Sequence, residues 1–397
     1  MLELVRHTAT YSPPVASRAF GYLGVAVYEA AAGGSDRLVS LAGQLNGLEA
    51  VPQREAGAVY DEAVIAHTVM ATMVRSFFSN TGPTGQRAVA AADRKWGAEA
   101  AVGVPQDVIE RSTAFGILLA ESVIEWSRGD GGAEVENLGF PLDYALPSGE
   151  GKWVPTSPIA LQQAPLLPQW GTVRPFAAPM GISCPIPPPP DYSTDPQSQF
   201  YREAVEVRDV SRALTAEQAA IARFWSDDPM LSTTPPGHWI SIALQVAEAQ
   251  QLPLDRSVDL LARLGVAMSD AFIGCWREKY VHNLIRPISY IRSQIDPAWE
   301  PILITPPFPE YPSGHSTVSG AAATVLTAFF GEDFAFVDAT GSPDGRPPRT
   351  FPSFWAAADE AGISRLYGGI HYRAAIAFGL DQGRCIGAYT VALTTGK

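Results

Sequence analysis

Three widely separated segments of this sequence concentrate groups that could hold a small oxyanion and move a proton to or from it. The first, Lys279-Tyr-Val-His-Asn-Leu-Ile-Arg286-Pro287, carries two cations seven positions apart. If one helix runs through both, that offset stacks them about two turns apart on one face. The second, Pro307-Phe-Pro-Glu-Tyr-Pro-Ser-Gly-His315, ends an irregular stretch where a small-residue helix begins. The free amides and the positive end of the dipole at such a terminus favour an anion. Ser313 could donate from its hydroxyl, Gly314 could bring its backbone close, and His315 could exchange a proton with what is bound. In the third, Ser364-Arg365-Leu-Tyr-Gly-Gly-Ile-His371, a helix carrying Arg365 breaks at Gly368-Gly369 and another starts near His371, so both side chains can face one point. Two arginines and a lysine make a cradle suited to a tetrahedral oxyanion, because the guanidinium fork donates paired hydrogen bonds. Taken alone, the first segment reads better as an exposed basic face, the second reads plausibly as a capped helix with a satisfied histidine, and the third divides evenly between a site and a surface arginine with a packed histidine.

The elements that must position these residues are helices. Apolar residues recur at helical spacing over 14–32, ended by Gly33-Gly34, and again near 54–79, 84–98 and 105–128. Between Gly129 and about Tyr192 the periodicity dissolves into a Pro/Gly-rich loop that includes Cys184-Pro-Ile-Pro-Pro-Pro-Pro190, which lacks the amide donors of a helix or a central strand. A loop of that length covers a site, joins two helical halves or wraps the surface. Thr215-Ala-Glu-Gln218 is a capping-box arrangement that opens a helix to Trp225. Further helices are expected over 237–252, 256–285, 315–330, 353–366 and 371–393. With alternating β-branched runs scarce, the expectation is an all-α helical bundle, residues 1–397 as a single domain, with the loop at about 130–192 and the oxyanion-binding core at about 215–393.

Composition narrows the function classes. The formal net charge of −13 argues against general attraction to nucleic acid or an anionic membrane, so an anion site must be a local basic cluster. No stretch reaches the ~18–20 apolar residues of a membrane span, so the chain reads as soluble. Met1 runs straight into Leu2-Glu3-Leu4-Val5 without a signal peptide, although a mature exported protein would begin the same way. Compartment and oligomeric state stay open, a homo-oligomer included. Cys184, Cys275 and Cys385 have no metal-type spacing; at most one disulfide can form, and the expectation is three buried free thiols. His7, His67 and His238 lack a companion set and are expected in packing or capping roles, whereas His282, three residues past Lys279, could border the pocket.

The Lys-x6-Arg-Pro, Pro-Ser-Gly-His and Ser-Arg-x5-His segments, in this order, resemble the signature of the vanadium-dependent haloperoxidase and type 2 phosphatidic acid phosphatase superfamily. Phe-Trp-Ser-Asp-Asp228, Thr234-Pro-Pro, Asp270-Ala-Phe-Ile-Gly-Cys-Trp276 and Pro306-Pro-Phe-Pro-Glu-Tyr-Pro312 resemble its chloroperoxidase-like branch, so the likeness covers roughly 215–385, with the N-terminal half similar only in being helical. The resemblance implies that Lys279, Arg286, Ser313, Gly314 and Arg365 hold the oxygens of vanadate, whose place phosphate or sulfate can take. It makes His371 the axial vanadium ligand, or the phosphorylated nucleophile of a phosphatase, and His315 the acid–base residue. Asp228 matches a carboxylate that orients the last arginine, and Phe308, with Trp276 nearby, an aromatic residue lining the halide pocket.

One departure stands out. The third segment normally continues His-x3-Asp, and here that position is Ala375. An Asp one turn on would hydrogen-bond the second ring nitrogen of His371 and raise its basicity, so a weaker ligand or nucleophile is expected, served by a backbone carbonyl or water. Three functions follow from the resemblance. One is a haloperoxidase using hydrogen peroxide and halide, with Lys279 polarising a bound oxygen. Another is an acid phosphatase acting on a small phosphate ester, and the third an oxyanion-binding homologue without turnover. Trp276, Phe308 and their context favour the first.

Overall fold

The computed structural model describes residues 1–157, 163–181 and 184–397, and the regular structure within them is helical apart from one small hairpin. The helices are α1 Leu2–Arg6, α2 Pro13–Ala32, α3 Glu62–Phe77, α4 Pro83–Ala100, α5 Gln106–Arg128, α6 Gly132–Leu138, α7 Gln199–Arg212, α8 Ala216–Phe224, α9 Thr234–Ala249, α10 Leu254–His282, α11 Pro287–Gln294, α12 Gly314–Phe330, α13 Phe354–Tyr367 and α14 Arg373–Val391. Strands β1 Phe336–Asp338 and β2 Arg349–Phe351 pair antiparallel, Val337 opposite Thr350. The all-α class expected from periodicity is observed, and the Thr215/Gln218 capping box forms at the start of α8. Periodicity missed α1, α6, α7, α11 and the hairpin, short or strongly polar elements with little apolar pattern to read.

The long helix α10 is the spine: α2, α12 and α14 pack along it. Small residues let α12 and α14 approach closely. A Cβ on Gly383 would stand 2.1 Å from the Thr317 carbonyl oxygen, and one on Gly320 would stand 2.5 Å from that of Leu380. This contact carries the first turn of α14 against the start of α12, where the Ser313 amide donates to the Ala375 carbonyl at 3.0 Å. A second apolar cluster, including Phe200, Tyr290, Tyr311, Tyr372 and Ala375, fills the space between α7, α11 and the start of α14.

Two expectations are corrected here. Lys279 and Arg286 do not share a helix: α10 stops at His282 because Asn283 takes the left-handed conformation at φ 49°, which asparagine tolerates. Arg286, which precedes Pro287, is held extended (ψ 152°) as the N-cap of α11, as the clash of a proline ring with its predecessor requires. Nor are the three cysteines all free: Cys184 in the long loop bonds Cys385 on α14, and Cys275 alone remains a buried thiol. A separation of 201 residues hides that pairing from spacing rules.

The long loop, of which 158–162 and 182–183 lie outside the described residues, is fastened to the body rather than draped over it. Asp270 on α10 accepts the amides of Phe176, Ala177 and Ala178 at 2.6, 2.8 and 2.8 Å. The Leu166 carbonyl accepts Trp276 Nε1 and the Tyr280 hydroxyl, and the Leu166 amide donates to the Pro307 carbonyl. The loop thereby clamps the end of α10 to the proline-rich segment before α12, the scaffold on which the site is built.

Candidate oxyanion-binding site

The three segments converge at helix ends. Lys279, in the last turn of α10, is 0% exposed, and its Nζ donates to the carbonyls of Pro309 and Glu310, both at 3.0 Å, and of Pro312. All three ammonium donors are thus directed at the 309–312 main chain, which Lys279 folds around itself. Burial pushes its pKa down to about 7, with Arg286 adding to the effect and Cys275 and Glu310 opposing it.

Arg286 is also wholly buried. Its Nε donates to the Phe308 carbonyl at 2.8 Å and its Nη1 to that of Ile370 at 2.9 Å, while Nη1 lies 3.2 Å from His371 Nε2. Its Nη2 is buried with no partner. An unpartnered guanidinium donor in a buried site is costly, and an oxyanion beside His371 would satisfy it. Burial lowers this arginine to about 10, against the pull of Glu310. The Phe308 ring roofs the cations, 4.9 Å from the Arg286 guanidinium and 5.1 Å from Lys279 Nζ, and packs 4.9 Å from Trp276.

His371, between α13 and α14, has its tautomer fixed from both sides. A guanidinium can only donate, so Nε2 accepts from Arg286, and the ring proton sits on Nδ1, which donates to Glu310 Oε1 at 2.7 Å. Burial, followed by the charges of Arg286, Lys279 and Arg365, holds the imidazole neutral. Burial raises the Glu310 carboxyl to about 8, while Arg286, the Tyr372 amide and Lys279 pull it back. Oε1 stays the acceptor in either ionisation state, because the Tyr372 amide donates to the same oxygen at 2.9 Å. Glu310 therefore supplies a carboxyl partner where Ala375 cannot, and the expectation that a backbone carbonyl or water would serve His371 is corrected. The two residues stand 61 positions apart, so no helical spacing could reveal the pair.

At the start of α12, Ser313 is the N-cap, its Oγ accepting the Ser316 amide while its own hydroxyl hydrogen stays available. The amides of Gly314 and His315 have no acceptor within the helix. A Cβ on Gly314 would meet the Phe272 and Trp276 rings at an ordinary 3.6 Å, so no protein atom demands glycine there. The His315 side chain is 18% exposed; its Nε2 has no hydrogen-bond partner and lies 4.0 Å from Asp227 Oδ2. Burial, Arg365 and His238 push this imidazole well below its ordinary value.

Arg365, in the last turn of α13, donates from Nε to Ser364 Oγ at 3.0 Å and from Nη2 to the Trp225 carbonyl. Asp228, matched to the carboxylate that orients the last arginine, makes no ion pair with Arg365 among the described residues. Asp228 acts on the guanidinium through charge alone, while its carbonyl closes a turn by accepting the amides of Leu231 and Ser232. His282 is not brought to the cradle either; it pairs with Glu278 at 3.3 Å and meets Tyr311 edge-on. The reading of His238 as an ordinary packed residue also gives way, since it bridges Asp227 and Asp338.

Two arginines, one with an unpartnered Nη2, and a helix N-terminus are donors suited to a tetrahedral oxyanion such as vanadate or phosphate, with the buried Lys279 adding charge and the His371 Nε2 lone pair held by Arg286 at the same point. A family model described as the VCPO second helical-bundle domain matches residues 259–396. Vanadium chloroperoxidase of Curvularia inaequalis is 26% identical over 217 residues, covering 39% of this chain and only 36% of that enzyme, so the chain spans about a third of this curated relative. Among solved structures, a bacterial vanadium-dependent iodoperoxidase is 38% identical with a TM-score of 0.89, over 100% of this chain and 95% of that one. The likeness thus extends through the N-terminal half as well. A bacterial vanadium-dependent chloroperoxidase in its apo form shares the fold at 15% identity and a TM-score of 0.72, over 96% of this chain and 94% of its own.

Proposed function

The chain belongs to the vanadium-dependent haloperoxidase superfamily, and from that premise we propose that it oxidises halide with hydrogen peroxide at a vanadate held in this cradle. The observation that carries the reading is the pinned His371: Glu310 fixes the proton on Nδ1, so Nε2 presents its lone pair to the Arg286 guanidinium, whose Nη2 lacks a partner, and an incoming oxyanion would take up both in exchange for the single Nη1 hydrogen bond. Bound there, vanadate would supply the Lewis acidity that activates hydrogen peroxide towards a halide.

The protein's own part is holding, screening and proton transfer. Arg286, Arg365, the Ser313 hydroxyl and the Gly314 amide would hold the oxygens, and His371 Nε2 would be the protein's ligand to the metal. Lys279 contributes charge at a fixed point and reaches an oxygen by releasing one of its carbonyl acceptors. His315, neutral and open to solvent on one side, delivers and removes the protons of the turnover. Phe308 and Trp276 keep water off the cations and line the halide side. We propose iodide as the preferred halide, because the relative that is 38% identical over the whole chain is an iodoperoxidase. The Cys184–Cys385 bond fits an oxidising compartment and hence export.

The test is reconstitution of the purified protein with vanadate, followed by oxidation of iodide, bromide and chloride with hydrogen peroxide, beside phosphate release from a phosphomonoester. Halide oxidation that requires vanadate, fastest with iodide, is the expected result. Phosphate release inhibited by vanadate without halide oxidation would make the protein a phosphatase, with His371 as nucleophile. Inactivity in both assays would leave an oxyanion-binding homologue.

A further inference from the structure

A buried ion cluster stands beside the cradle. His238, in the first turns of α9, is 2% exposed, and both ring nitrogens face carboxylates: Nδ1 is 2.9 Å from Asp227 Oδ2, and Nε2 is 2.8 Å from Asp338 Oδ2. Asp338 is itself held on β1, where it accepts the Thr340 amide at 2.9 Å. The ring plane is fixed by stacking on the Trp225 indole, centroids 4.5 Å apart and 19° from parallel. Asp227 is held at φ +49°, a left-handed conformation that aspartate tolerates at some cost. That backbone places one carboxylate between two imidazoles, with His238 hydrogen-bonded on one side and the unpartnered His315 Nε2 at 4.0 Å on the other.

We propose that His238, clamped by Asp338, is a positioning residue that holds Asp227 as the carboxylate partner of His315, forming a buried Asp338–His238–Asp227 relay behind the proton-exchanging histidine. The inference rests on the proposed role of His315. Two carboxylates facing one ring require a proton on each nitrogen, so His238 is an imidazolium. Burial alone would lower its pKa, but the charges and hydrogen bonds of Asp227 and Asp338 outweigh that and raise it to about 10. The cluster Asp338, His238 and Asp227 then carries one net negative charge. It faces Asp228 from the same loop, Arg365 from α13 and His315 from α12, while His315 also feels Lys279 from α10. Without His238, Asp227 would be a bare buried carboxylate next to Asp228. It would turn towards Arg365 or solvent and leave His315 with the Trp225 main chain alone.

The experiment uses the full chain with its histidines labelled with nitrogen-15. In the ligand-free wild type at pH 8, His238 is expected to show two ring N–H protons; a single one, the mark of a neutral ring, overturns the proposal even if no variant folds. Asp338→Asn touches His238 from the side away from the cradle. In ligand-free Asp338→Asn and His238→Phe, which keeps the stack on Trp225, the His315 ring resonances are expected to move. In the vanadate-loaded enzyme kcat should fall about tenfold with KM for peroxide unchanged, and Asp338→Glu should recover part of the loss. A purely structural His238 would lower the melting temperature while leaving the His315 resonances and kcat alone, and that result sinks the relay. The resonance readout needs no vanadate. An inactive wild type with the coupling intact would remove the haloperoxidase reading alone, and an active enzyme without the coupling would remove this one alone.

Discussion

Replacing Glu310 separates coordination at His371 from simple anion binding. In Glu310→Gln, compared at about pH 9 where the wild-type carboxyl is ionised, the amide oxygen can still accept the His371 Nδ1–H and Tyr372 N–H bonds, now 2.7 and 2.9 Å long, but the negative charge behind the ring is gone. In Glu310→Ala both donors are left buried and unpaired. Partners of a ligating histidine are worth about 10–100-fold in affinity for the group it ligates, or about 1.4–2.8 kcal/mol. We therefore expect vanadate to bind about tenfold more weakly to Glu310→Gln and about a hundredfold more weakly to Glu310→Ala, the latter with a further loss of about 1–3 kcal/mol in fold stability from the orphaned N–H groups. Phosphate, which meets His371 by hydrogen bonding only, should not weaken in Glu310→Gln, because removing a carboxylate beside Arg286 and Lys279 leaves the cradle more positive. Calorimetric titration of the ligand-free proteins with each anion measures both. If both variants bind vanadate within about twofold of the wild type, or if phosphate weakens in step with vanadate, the account of His371 is wrong.

Arg286→Ala removes a charge-assisted donor worth about 1.5–3 kcal/mol, so vanadate and phosphate should both bind roughly 10–150-fold more weakly. Arg286→Lys should not restore the affinity, because an ammonium cannot span the Phe308 and Ile370 carbonyls and the anion together. His238 has a folded pKa of about 10 against an ordinary value of 6.5. Its stabilising contribution is therefore fully present below about pH 6.5 and is lost as pH rises through 10. The stability gap between wild type and His238→Phe, followed by denaturant unfolding from pH 6 to 11, should narrow towards the alkaline end, and a gap that widens there contradicts the imidazolium. Replacing Cys184 and Cys385 with serine releases a constraint across 201 residues, worth about 5 kcal/mol in the chain-entropy treatment. The melting temperature should fall by roughly 6 °C, and reductant should have the same effect on the wild type but none on the variant. Cys275, buried and with its thiol pKa raised by burial, should resist alkylation in the native protein.

Most of the fold could be read in the sequence because helices announce themselves locally. The apolar spacing of 14–32 and 105–128, the Thr215/Gln218 box and the Gly368-Gly369 break depend on residues within a turn or two of one another, and all appear where expected. Short elements escaped for the same reason: α11 has eight residues and the hairpin strands three each, too few to show a period.

The candidate site divides the same way. Lys279, Arg286, Ser313, Gly314, His315, Arg365 and His371 were legible because three segments together resemble a known family's signature, each beside a helix end or a proline, and the structure brings the segments together. Their partners were not legible. Glu310 looked like one residue of a proline-rich linker, His238 like a packed ring, and Ala375 like a deficit, until α12 and α14 closed on each other and the 309–312 main chain folded around Lys279. Local sequence settles which groups are cationic, where helices begin and end, and which amides go free, since those follow from neighbours along the chain. Which carboxylate sits behind which histidine is settled only by packing, because a hydrogen bond of 2.7 Å between residues 61 positions apart leaves no periodic trace in the chain that makes it.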